Sequence, residues 1–351
     1  MNTASIRISN SDKLALVSNL ATMFNAGIPI METIDSMAED SKGNTKKILE
    51  SVSADLVQGE SIYSAFSKFP LVFNKVTVNV IKAAEEAGTL DVVLKDIKVQ
   101  IQKDMEFMDS VKSALTYPVI ILIMFLLILL MILVVVIPKI ATVFLQLKVT
   151  LPLPTKVLIF LSNLITHNTI SLLILFVVLF IGLFFIYRTK RHLLLNIIFS
   201  FPVVSNLIKE IDLARFFRSM YLLLTSGITI TTALTLAKEV VIRRDIAAII
   251  SRTEENVLAG KKMSDSFKEK RAFFPGITIK IVEAGEKTGT LDKSMEDITT
   301  YMDYRVTAAL AKIIALLEPL MLVFVGLLVG GMMFSIISPI YGLISQVGGG
   351  K

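Results

Sequence analysis

Four carboxylates carry the strongest hint of chemistry in this sequence. They are Glu85 and Glu86 in the block AAEEAGTLD at 83–91, and Glu286 and Asp292 in the block AGEKTGTLD at 284–292. Clustered acids can hold a divalent cation or divide the work of a general acid and a general base. Helix capping and surface ion pairing explain this set more cheaply, because each block couples its acids to a glycine and a following Thr-Leu-Asp. His167 and His192 are the two histidines. Neither has a second imidazole at ligand spacing, so both read as solvated or interfacial. Gly260-Lys261 is the candidate for a phosphate-binding loop, but such a loop needs a glycine five residues before and a Ser or Thr after. Glu255 and Lys262 stand there instead. With no cysteine, disulfides, thiolate metal sites and a cysteine nucleophile are excluded. No catalytic constellation is visible, no cofactor or metal is expected, and the protein reads as a non-enzyme.

The elements that would position these residues divide between water and lipid. Of 351 residues, 54% are hydrophobic, above the usual 45–50% or so of soluble domains. The excess sits in three runs, 119–137, 170–187 and 320–337, each long enough at about 1.5 Å per residue to cross a hydrocarbon core of about 30 Å. The start, MNTASIRISNSDKLAL, lacks the apolar core of a signal peptide. Basic residues near the span ends orient the chain. Lys112, Arg188, Lys190, Arg191, Arg305 and Lys312 lie on one side, and Lys139, Lys148, Lys156 and Lys351 on the other. The bias places the N-terminus and residues 1–118 and 188–318 in the cytoplasm, with 138–169 and the tail 344–351 outside. Net charge is +6, but the basic residues are interspersed at helical spacing, so nucleic acid is not an expected partner.

An internal repeat sets the architecture. Asp12, Gly27, Ile28, Ile30 and Glu39 recur 200 residues later as Asp212, Gly227, Ile228, Ile230 and Glu239. After one inserted residue, Gly59, Phe66 and Phe73 recur as Gly260, Phe267 and Phe274, and Pro118 recurs as Pro319. Each unit reads as a helical bundle. Leu14, Val17, Leu20 and Phe24 fall on one helix face. Ser9 with Asp12 is a capping box, and Gly27 ends that helix in left-handed geometry. Gly88 and Gly289 read as cap glycines ahead of new helices. Pro118 and Pro319 are expected to open spans, and Glu318 to sit at the positive end of the helix that Pro319 begins. Gly326 and Gly330 form a GxxxG, a helix–helix seam either between subunits or within one protomer. No alternating strand pattern appears, so the fold is all-α.

These residues resemble the type II secretion system F-protein family (GspF/PilC-like) over nearly the whole chain. The resemblance rests on the Gly-Ile-x-Ile turns at Gly27 and Gly227 and the Glu-x-x-Gly-x-Leu blocks at Glu85 and Glu286. It rests also on Tyr117-Pro118, on IPKIATVF at 137–144, on Leu151-Pro152 with Thr155, on Glu318-Pro319 and on Ser338-Pro339-Ile340-Tyr341. It implies duplicated six-helix cytoplasmic bundles in a multi-pass inner-membrane protein that assembles pilus or pseudopilus filaments. It further implies a homo-oligomer that contacts a hexameric secretion ATPase, pilins or pseudopilins, and other inner-membrane assembly proteins. Family members usually carry a further N-terminal stretch, whereas here the first bundle begins near Asp12. Ala84 stands where the second unit has Gly285, so the two units are not expected to be interchangeable. The expected organisation is a first bundle 1–118, span 119–137, outer loop 138–169, span 170–187, second bundle 188–318, span 319–343 and outer tail 344–351. Two other readings compete. A membrane scaffold or receptor unrelated to filaments would share the repeat. A solute transporter would need polar or broken helices near the midplane, and three nearly apolar spans do not favour it.

Overall fold

The computed structural model describes residues 3–146, 153–167 and 202–348. Among the described residues all regular structure is helical. The chain divides into two compact units, one of Met1–Ser110 with Asn206–Leu310, the other of Val111–Ser205 with Ala311–Lys351.

The first unit holds both copies of the repeat. The first copy runs through α1 (Asn10–Asn25), α2 (Ile30–Asp40), α3 (Gly43–Val57), α4 (Ile62–Ser67), α5 (Lys75–Ala87) and the start of α6 (Leu90–Met131). Ser9 caps α1, its Oγ accepting the Asp12 N–H at 3.0 Å and donating to Asp12 Oδ2 at 2.7 Å. Leu16, Val17 and Leu20 form its buried face. The helix ends where Gly27 takes φ +79° and the Ile28 N–H returns to the Met23 carbonyl at 3.1 Å. That six-residue closure needs a left-handed residue, which glycine adopts without Cβ strain.

The second copy runs through α9 (Pro202–Thr225), α10 (Ile230–Lys238), α11 (Arg244–Leu258), α12 (Met263–Glu269), α13 (Gly276–Thr288) and the start of α14 (Leu291–Gly348). It repeats the closure, with Gly227 at φ +80° and the Ile228 N–H on the Leu223 carbonyl at 3.0 Å. One hydrophobic core is continuous through both copies. Each copy centres on a stacked phenylalanine pair: Phe66 with Phe73 at 4.4 Å and Phe267 with Phe274 at 4.1 Å between ring centroids. The spacing of 201 residues in sequence is therefore a spacing of equivalent places in space.

The second unit contains the rest of α6, a π-helical segment Ile132–Val136, α7 (Ile137–Gln146), α8 (Leu153–His167) and the rest of α14. Leu90–Thr142 and Leu291–Ser335 hold 18-residue windows of mean hydropathy 3.8 and 2.5, and are long and apolar enough to cross a membrane. Their large side chains face outward, as with Leu127 and Leu322 at 59% and 69% exposed. A face that apolar is compatible with lipid rather than water. The run 170–187 expected as a further span lies outside the described residues, as does His192.

Two expectations change. Pro118 and Pro319, expected at the mouths of spans, each lie inside a helix, 28 residues from the first residue of α6 and of α14, so Pro319 does not begin the helix that Glu318 was expected to head. A proline within a helix costs about 3 kcal/mol. Stopping a helix in an apolar surrounding would strand several backbone groups at several kcal/mol each, so the chain keeps its helix through the proline. Glu318 consequently sits inside α14 rather than at its N-terminus. The segment 138–169, expected as a loop, is helical wherever it is described. Its residues VLIFLSNLI at 157–165 supply apolar side chains dense enough to hold a helix against the neighbouring ones.

Candidate functional site

The two acidic blocks turn out to be the same device built twice. Short helices such as α4 and α12 are marginal alone, because their first amide groups have no intrahelical acceptors. Neither Ser61 nor Lys262, at the N-cap positions, offers a side-chain cap. The acceptor comes from the next helix instead. Glu85 on α5 takes the N–H groups of Ile62 at 2.9 Å and Tyr63 at 3.2 Å. Glu286 on α13 takes those of Met263 at 2.6 Å and Ser264 at 3.3 Å. Donors and acceptor alike are shifted by 201 residues. A carboxylate at a helix N-terminus also gains from the helix dipole.

Both capping helices end at a left-handed glycine, Gly88 at φ +70° and Gly289 at φ +72°. Thr89 N–H then bonds the Ala84 carbonyl at 2.9 Å, and Thr290 N–H the Gly285 carbonyl at 3.0 Å. The chain reverses at once into α6 and α14, whose first turns carry Asp91 and Asp292. The block thus holds three helices in register: the acid caps the one before, the glycine ends its own, and the aspartate begins the one after. Glu86 takes no part in the cap; it is exposed and meets Lys82 at 4.0 Å. No group of three or more histidine or acidic side chains placed to hold a metal ion occurs among the described residues.

The copies differ in ways the block does not show. Asp212 is fully buried and accepts the N–H groups of Ile242 at 3.1 Å and Arg243 at 2.7 Å, fastening the start of α11 to α9. Burial raises its carboxyl above the ordinary value, against the lowering effect of those two bonds. Its counterpart Asp12 is exposed, bonds only locally to Ser9, and lines a groove of about 510 Å³ with Asp40 and Lys42. At Gly285 an added Cβ would lie 2.8 Å from Ser294 Cβ, whereas the first copy carries Ala84 at the corresponding place. A further contrast lies beside the cap: Glu283 on α13 bridges Lys268 and Lys287, both at 3.0 Å, and these lysines hold its carboxyl down to about 2.

α9 carries Glu210 and Arg218, and both form ion pairs. Arg305 on α14 pairs with the buried Glu210 at 2.7 Å. Arg218, nearly buried, pairs with Asp303 on α14 and lies 3.7 Å from Asp104 on α6 of the other copy. Lys75 on α5 reaches Glu239 at 2.8 Å. These pairs, two within the second copy and two between the copies, had no sequence signal, because their members are separated by 85 to 164 residues. Gly326 and Gly330 lie on the exposed face of α14, with nothing among the described residues within 4 Å of an added Cβ.

The duplicated sequence has counterparts elsewhere. The family described as "Type II secretion system (T2SS), protein F" matches the chain twice, at residues 16–138 and 216–339. A type IV pilus assembly protein PilC of Thermus thermophilus is 30% identical over 338 residues, covering 95% of this chain and 83% of its own length. A type II secretion system protein F of Pseudomonas aeruginosa is 29% identical over 342 residues, covering 95% and 84%. A PilC of Myxococcus xanthus is 26% identical over 343 residues, covering 97% and 82%. Each family match covers one copy of the repeat from α1 or α9 to the end of its apolar helix, so this chain belongs to the type II secretion system protein F family.

Proposed function

We propose that this protein is an inner-membrane platform of a type IV pilus or type II secretion assembly machine. The observation that carries the reading is the double family match, which falls on the two copies of one helical unit, each continuing into a helix apolar enough for lipid. The relatives named for pilus assembly and for type II secretion span over four-fifths of their own length in the alignment.

In this reading each copy is a six-helix cytoplasmic bundle, the N-terminus is cytoplasmic, and three spans cross the inner membrane at 119–137, 170–187 and 319–343. The protein works mechanically and without chemistry of its own. It receives displacement from a cytoplasmic hexameric ATPase and passes it to pilins or pseudopilins in the bilayer, as a homo-oligomer alongside other assembly proteins.

Glu85 and Glu286 are structural caps, so the partner contact is assigned to exposed neighbours, Lys82 and Glu86 in one copy and Lys287 in the other. Charge reversal at Glu86 and Lys287 is expected to abolish co-purification with the ATPase and to stop filament assembly. If both survive both reversals, this contact surface is wrong. Topology has its own test. The chain has no cysteine, so single cysteines at positions 59 and 260 can be labelled from either side of the membrane. Both are expected to react from the cytoplasmic side; labelling from opposite sides would end the two-bundle reading.

A further inference from the structure

Two prolines in the second unit stand 201 residues apart, Pro138 and Pro339. Each removes an N–H that a helical carbonyl needs. In the π-helical segment the Ile137 N–H bonds the Ile132 carbonyl. The next donor in that register would come from residue 138, which is proline, so the Leu133 carbonyl loses its partner. In α14 the regular i+4 donor to the Ser335 carbonyl would come from residue 339, again proline. In an apolar surrounding an unpaired carbonyl is costly and marks the place where a helix bends most easily.

The same short helix repairs both defects. From α8, Ser162 Oγ donates to the Leu133 carbonyl at 2.6 Å, and Thr155 Oγ1 donates to the Ser335 carbonyl at 2.6 Å. Both hydroxyls are buried, with Thr155 and Ser162 at 2% and 1% exposed. They lie seven residues apart, two helical turns and therefore one face. Ser335 adds its own Oγ to the Gly331 carbonyl at 2.8 Å, an interaction that itself bends helices. Thr155–Thr166 is too short to cross a bilayer, so spanning does not account for its apolar composition, whereas bridging two weakened helices does.

We infer that α8 is a latch across a paired hinge: while Thr155 and Ser162 are engaged, α6–α7 and α14 are held straight, and when α8 lets go both bend at the proline-freed carbonyls. The π-helical segment fits this role, since such segments occur frequently at functional sites. A kink of about 20° at Leu133 swings Thr142, roughly 14 Å further on, by about 5 Å.

The test uses the full chain in lipid nanodiscs, diluted with unlabelled protein. Spin labels go at cysteines replacing the exposed Thr142 and Tyr341, beyond the two hinges. Pulsed-EPR distances are expected to be narrowly distributed in the parent. In Thr155→Val with Ser162→Ala the distribution should broaden and its mean shift by about 5 Å. Adding Pro138→Ala and Pro339→Ala, which return the missing N–H groups, should narrow it again although the hydroxyls are still absent. That rescue distinguishes a latch from simple loss of packing. Should the double hydroxyl variant fail to fold, Ser162→Ala alone, with and without Pro138→Ala, reads one hinge by the same criterion. An unchanged distribution on losing the hydroxyls, or no narrowing on replacing the prolines, overturns the proposal.

Discussion

Replacing Glu286 by alanine isolates what the duplicated acid does. The carboxylate holds two amide groups of α12, one short bond at 2.6 Å and one at 3.3 Å. A hydrogen bond to a charged group is worth about 1.5–3 kcal/mol net, and charge at a helix N-terminus about 0.3–1 more. The second bond is long and the site is only partly buried, so about 2 kcal/mol is the reasonable total. In the opening equilibrium of α12 that is roughly 30-fold. Hydrogen exchange followed by mass spectrometry on the full chain in detergent reads this directly. In Glu286→Ala, amides of residues 263–269 should exchange about 30-fold faster. In Glu286→Gln, which keeps an acceptor oxygen without the charge, the increase should be roughly 5-fold. Glu86→Ala should change nothing measurable, since its contact is an exposed pair at 4.0 Å. Exchange in Glu286→Ala within about twofold of the parent would refute the capping argument, because an uncapped seven-residue helix cannot hold its first turn closed by itself.

Other outcomes follow from the differences between the copies. Asp212→Asn should destabilise the chain to denaturant by about 1–3 kcal/mol by weakening two buried bonds to α11, while Asp12→Asn should cost under about 1. Gly285→Ala should lower the melting temperature through an overpacking cost of about 1–3 kcal/mol against Ser294. Gly289→Ala should cost about 1–2 kcal/mol from left-handed strain at φ +72°, with open space around the new methyl. The Glu283 carboxyl is depressed to about 2 by Lys287 and Lys268. A depressed acid stabilises the fold above its unfolded value and loses that contribution as pH falls through its folded value. The stability difference between the parent and Glu283→Gln should therefore hold from neutrality to about pH 5 and shrink between about 4.5 and 2; a difference already gone at pH 4.5 would show that the two lysines do not hold the carboxylate.

The sequence alone determined the duplication, the all-helical fold, the apolar helices and the turns that punctuate them. These are local properties. A glycine that must take positive φ, a serine three residues before an aspartate and an unbroken apolar run each carry their meaning within one or two helical turns. Thus Gly27, Gly88, Ser9 and the run from Val119 were readable directly. The tertiary structure decided what the charged and polar residues do, because their partners are remote in sequence. Glu85 read as a capping or surface acid, and only the structure shows that the helix it caps begins 23 residues earlier. Asp12 and Asp212 looked equivalent and differ in burial and role. Pro319 looked like a helix start, since a proline's cost is legible locally but the larger cost of interrupting an apolar helix is not. Ser162 carried no signal and Thr155 only a place in a motif, because a carbonyl's need for a donor arises only when a proline elsewhere has removed the one it had.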